Sequence, residues 1–171
     1  MRGKPQMETN VRAGGEARLL TRIRILLAIV ILGLLGSGIS CLPLLTESGA
    51  IVELLHHNGQ FPAATAWMTQ VHRGLETTYS NSPFIGYGTD WLGFGHFMIA
   101  IFFVGPLLDP RRNLWVINAG IIACLLVIPM ALISGAVREL PLWWRLIDCA
   151  FGVFGVIPLW LARSWTLRLP R

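Results

Sequence analysis

Charge is what this chain has least of. Asp, Glu, Lys and Arg together make up 13% of its residues, where soluble domains carry about a quarter. Set beside 54% hydrophobic residues, that scarcity excludes an ordinary water-soluble domain. Cysteine is also sparse: Cys41, Cys124 and Cys149 include no CxxC pair, which excludes a membrane thiol oxidoreductase of comparable size and span number. No Ser or Thr stands in a nucleophile-elbow context, no phosphate-loop motif follows Gly33-x-x-Gly36 or Gly152-x-x-Gly155, and HExxH is missing. The chain has no internal repeat and no low-complexity tract. No residue is assigned a catalytic role and no cofactor is required, so the sequence leans away from an enzyme.

What is present instead is apolar sequence in long pieces. Four runs, at about residues 23–45, 91–108, 115–137 and 143–162, are each long enough to cross a hydrocarbon layer of about 30 Å at about 1.5 Å rise per residue. The 171 residues fit one domain. They predict an all-α integral membrane protein, an antiparallel four-helix bundle with lipid as its outer solvent.

Basic residues are distributed unevenly around these runs. The N-terminal tail holds Arg2, Lys4, Arg12, Arg18, Arg22 and Arg24; the second turn holds Arg111 and Arg112; the C-terminal end holds Arg163, Arg168 and Arg171. Those are eleven of the fourteen basic residues, leaving Arg73, Arg138 and Arg145 for the other side. With the acids included, one side sums to +8 and the other to −3. Short Lys/Arg-rich loops stay cytoplasmic. Both termini are therefore expected inside a plasma or inner membrane, which four spans permit. The overall charge of +5 is a topogenic signal and not a nucleic-acid footprint.

The first run has a rival reading as a secretory or lipoprotein signal, with basic residues before residues 25–35 and Gly38-Ile39-Ser40-Cys41 after them. Against it, Gly38 stands where such a site usually has Leu, and the apolar run continues through Leu45. An uncleaved span is the expectation.

Residues 1–21 are polar without an apolar period and predict a flexible cytoplasmic tail whose arginines can touch anionic headgroups; residues 166–171 predict a second short tail. The bundle then occupies residues 22–165. Residues 46–89 predict an extracytoplasmic amphipathic helical loop. In it, Ile51, Leu54 and Leu55 share one face of a short helix that Gly59 can end in a left-handed cap. Pro62 suits a first helical position. Ala64, Trp67, Met68, Val71 and Leu75 follow as an apolar stripe, and Asn81-Ser82-Pro83 ends that helix. Gly86-Tyr87-Gly88 reads as a mobile approach, with Thr89 or Asp90 capping the second span. Pro129 predicts a kink in the third span. Trp91, Trp115, Trp143, Trp144, Trp160 and Trp165 stand at span ends, where indoles favour the interface.

Polar groups inside spans are costly and draw attention to themselves. His96 and Asp148 each lie about five residues below the outer end of a span, roughly 8 Å deep. Gly93 and Ala100 flank His96, while Gly152 and Gly155 follow Asp148, so both are expected on close-packing faces. Arg145, at i−3 from Asp148, is a ready ion-pair partner. A His96/Asp148/Arg145 site, with Asp90 above it, would take a proton, a metal or a small polar ligand. The simpler reading of the same residues is a buried hydrogen-bonded clamp that fixes helix register. His56, His57 and His72 are further candidate metal ligands, although they lack a diagnostic spacing. Cys41 and Cys149 could share a layer and pair, and Cys124 reads as a small packing residue.

Two functional classes remain. One is a non-enzymatic accessory or structural component that packs, through its small-residue stripes, against membrane-protein partners or further copies of itself. The other is a membrane protein using the His96/Asp148 layer for binding or catalysis.

Overall fold

The structure, a computed structural model, describes residues 4–170, with side chains from Gly14 onward. The sequence-derived expectations for residues 1–3 and for Arg171 lie outside the described residues. Six α-helices follow in order: α1 (Lys4–Ser40), α2 (Leu44–Asn58), α3 (Pro62–Asn81), α4 (Gly86–Leu108), α5 (Leu114–Val137) and α6 (Leu142–Thr166), with a 3-10 turn at Pro83–Ile85 before α4. The stretches Gly14–Ser40, Pro83–Leu108, Leu114–Val137 and Leu142–Thr166 are long and apolar enough to cross a membrane. Between 11% and 22% of the most apolar window in each is buried inside the protein. Surface of that kind is stable against lipid and not against water.

Three boundaries differ from the sequence-based expectation, each for a local reason. The first span stops at Ser40 and not at residue 45. Apolar side chains continue, but Pro43 has no N–H to donate and disfavours helical geometry at Leu42; the Leu42 amide turns back to the Ile39 carbonyl at 3.1 Å. At its other end α1 reaches back to Lys4 and takes in residues expected as a tail. Glu16, Ala17, Arg18, Leu19 and Leu20 are good helix formers without needing an apolar period. Finally, Gly86–Asp90 are helical, because the 3-10 turn at Pro83–Ile85 leads directly into α4. Thr89 does not cap there; its hydroxyl donates to the Gly86 carbonyl at 2.7 Å and meets the Tyr79 hydroxyl at 3.2 Å.

The chain divides into two compact units, Gly33–Ile99 and the remainder. Within Gly33–Ile99, α2 and α3 form a hairpin. Gly59 ends α2 with φ 63° and returns its amide to Leu55 O at 3.1 Å, a left-handed cap that favours glycine. Pro62 opens α3. The expected stripe holds: Met68 is buried and Ala64, Trp67, Val71 and Leu75 are half-buried, while Gln70, Arg73 and Thr77 are exposed. On α2 only Leu55 of the expected face is partly covered, and Ile51 and Leu54 are exposed. Buried Ser48 ties the hairpin together. Its hydroxyl donates to Leu45 O at 2.9 Å and lies 2.9 Å from His72 Nδ1. A hydroxyl has one proton, so Nδ1–H is the donor to Ser48 Oγ. In the same unit α1 and α4 cross at Gly38 and Gly93: a Cβ on Gly93 would stand 2.7 Å from the Gly38 carbonyl oxygen.

The second unit is organised around α5 and α6. Gly135 meets the Arg145 stem, Gly152 and Gly155 meet Cys124, and Asn118 meets Arg163. Residue numbers rise on one helix as they fall on the other, so the pair is antiparallel. Gly152 lets the Cys124 carbonyl approach α6 directly, a separation that only small residues allow. Gly33 and Gly36 differ, with nothing within 4 Å of a built Cβ. Beside the pair, Gly120 receives the tip of Phe103, and Ile23, Leu27, Pro106, Ile117 and Leu159 are fully buried. Leu169 is 7% exposed, so packing continues into the expected C-terminal tail.

Candidate functional site

The turn between α5 and α6 shows what Arg145 does. α5 ends with Glu139 at φ 57° and the Leu140 amide returned to Gly135 O at 2.9 Å, a C-terminal cap made at some cost by a non-glycine residue. The Arg145 stem lies over Gly135 and its Nε donates to Leu140 O at 2.9 Å. Arg145 therefore locks this turn. It forms no ion pair with Asp148, contrary to what their spacing suggests.

Asp148 is half-buried and, among the described residues, has no hydrogen-bond or ion-pair partner. It continues a stripe of α6 at i, i+4, i+11, i+14 and i+18 through Gly152, Leu159, Ala162 and Thr166, all four of them buried. The carboxylate therefore stands at one end of a packed flank and not on the flank of Phe151 and Phe154, which are both 70% exposed.

His96 and Asp90 belong to the other unit, on α4. Asp90 is exposed. Half-buried His96 has Nδ1 2.8 Å from the Leu92 carbonyl, one helical turn back. A carbonyl only accepts, so Nδ1 carries the proton and Nε2 of the neutral ring keeps its lone pair. The other histidines do not assemble. His56 and His57 are exposed near the end of α2, whereas His72 is held by Ser48. Among the described residues no three His, Cys, Asp or Glu side chains gather around one point. His56 and Arg73 instead line an open groove of about 570 Å³ between α2 and α3, with Leu55, Pro62, Thr65 and Thr69. All three cysteines are free thiols, so Cys41 and Cys149 are not paired.

Two polar contacts escaped the sequence. Arg163 Nε donates to Asn118 Oδ1 at 2.7 Å, and the guanidinium carbon lies 5.8 Å from the Trp160 ring centroid. Arg24 donates from Nε to Leu107 O at 3.2 Å and from Nη2 to Leu108 O at 3.3 Å, covering carbonyls left open at the end of α4. Antiparallel register would have revealed the first contact, and nothing in the sequence signals the second.

Comparison with known protein families, with curated proteins and with solved structures found no match. The class rests on the helices themselves. This is a membrane protein whose described residues are all-helical and include four helices long and apolar enough to span.

Proposed function

We propose that the chain is a non-enzymatic accessory or structural component of a membrane assembly. In this reading it is an antiparallel four-helix bundle with both termini cytoplasmic and the α2–α3 hairpin outside. The arginine asymmetry supports the orientation. Asp148 carries the functional reading. An ionisable group within a span is costly unless something pairs with it, and Arg145, its nearest basic neighbour in sequence, is committed to Leu140. A helix from a membrane partner, or from a second copy, that brings a donor or cation to Asp148 removes that cost.

The test is particle size. Tagged chain extracted from its membrane in mild detergent should sediment as a particle larger than its own monomer, and Asp148→Asn should release the monomer. The released variant should melt at or above parent chain that has been stripped to its monomer, in which the same carboxylate stands unpartnered. A particle that Asp148→Asn leaves whole rules the reading out.

One alternative is a binding or catalytic site for a small ligand, metal or proton that uses His96, Asp148 and Arg145, and the histidine tautomer supports the part played by His96. Nε2 of His96 is an open acceptor. This alternative replaces the first if the particle survives Asp148→Asn while His96→Ala and Asp148→Asn each abolish zinc binding in calorimetry.

A further inference from the structure

We infer that the α4–α5 turn binds the phosphate of an anionic lipid headgroup. Residues 109–113 join two helices that are long and apolar enough to span, which sets the turn at the edge of the hydrocarbon layer. Positive charge is concentrated there. Arg24 reaches the last carbonyls of α4. Arg112 is exposed and only loosely paired with Asp109, at 3.9 Å. Arg111 is half-buried, with one terminal guanidinium nitrogen closed off from solvent and unpartnered. Three guanidiniums thus belong to this turn and the end of α4, against the single carboxylate of Asp109, which only the Arg112 side chain approaches. That carboxylate is already engaged, accepting from the Arg111 and Arg112 amides at 3.1 Å each.

The start of α5 adds to this field. Asn113 donates its side-chain amide to the carbonyls of Gly105 and Asp109, at 3.1 and 2.9 Å, so α5 begins with no side-chain cap. An uncapped helix N-terminus carries partial positive charge and open amides. An anion at the turn compensates the partly buried Arg111 charge and meets the α5 terminus together.

The apolar surroundings choose the source of that anion. Leu108 and Trp115 flank the turn and are 69% and 72% exposed. Free phosphate gains nothing from them, whereas the acyl chains of a lipid lie along them while its headgroup meets the guanidiniums. The site involves neither Asp148 nor any partner helix.

Full-length protein in detergent, offered equal amounts of phosphatidylglycerol and phosphatidylcholine with matched chains, should retain phosphatidylglycerol in native mass spectrometry. Arg112→Gln should weaken that retention about fivefold, and adding Arg111→Gln should weaken it by about the same factor again. Arg138→Gln, at the opposite end of α5, should change nothing. If the double variant does not fold, Arg112→Gln decides, since that side chain is 86% exposed. Equal retention of the two lipids overturns the site, as does an equal loss in Arg138→Gln. Complete displacement of lipid by excess inorganic phosphate overturns the lipid assignment in favour of a free-phosphate site.

Discussion

Gly152→Ala should destabilise the protein by about 2 kcal/mol, and Gly152→Leu should prevent α5 and α6 from pairing. A Cβ at this position runs into the Cys124 carbonyl oxygen and comes within 3.4 Å of the Val127 Cβ. Backbone cannot swing aside as a side-chain tip can, so the helices must separate and lose the contacts along their length. Gly33 provides the control on another span. Its built Cβ meets nothing within 4 Å, and alanine is the better helix former by roughly 0.5–1 kcal/mol. Gly33→Ala should therefore be neutral or stabilising. Thermal melts in detergent, or unfolding by titrated denaturing detergent, measure both. Equal effects at the two glycines would mean that the close α5–α6 approach is not present in the folded protein.

Asn118→Leu should cost about 2 kcal/mol. Arg163 is half-buried and its Nε donates to Asn118 Oδ1 at 2.7 Å. Truncating the acceptor leaves a cation without its hydrogen bond, and bonds to charged groups contribute about 1.5–3 kcal/mol. Trp160 recovers part of this, because the guanidinium keeps the ring face. Arg163→Met removes the charge itself and should cost less than Asn118→Leu. Combining the two should cost less than their sum, since the second change removes the group that the first left unpaired. Additivity in that double-mutant cycle would contradict a direct contact.

Much of the fold follows from local chemistry that a sequence displays. Gly59 and Pro62 mark a helix stop and start with backbone requirements of their own, and both work as expected. The Ala64–Trp67–Met68–Val71–Leu75 spacing identifies the covered side of α3. Hydropathy misplaces the end of α1 because Leu42, Leu44 and Leu45 are apolar while Pro43 breaks the helix that carries them. It hides the start of α4 as well, where two glycines and a threonine look like a loop.

The candidate site was legible only in outline. That Asp148 and His96 are unusual within apolar runs can be read directly from the sequence. The role of Arg145 cannot. Its i−3 spacing to Asp148 makes an ion pair available, but the Leu140 carbonyl at the turn and the bare surface of Gly135 compete for the same side chain and hold it. Arg24 shows the same limit. By position it is one of several topogenic arginines, yet in three dimensions it covers the end of a helix more than eighty residues away. Gly33-x-x-Gly36 and Gly152-x-x-Gly155 are identical as patterns. Only the second pair meets a neighbouring helix, because only there does a residue such as Cys124 approach.

The proposed function requires four crossings, with the arginine-rich turn on one side and the α2–α3 hairpin on the other. Cysteine labelling in intact cells tests this most directly. With Cys41, Cys124 and Cys149 replaced by alanine, a single cysteine is placed either at Gln60, between α2 and α3, or at Arg112, between α4 and α5. A membrane-impermeant maleimide should modify position 60 in intact cells and position 112 only after permeabilisation. Labelling of position 112 from outside, or protection of position 60 until the cells are opened, would contradict the topology and the proposed function that depends on it.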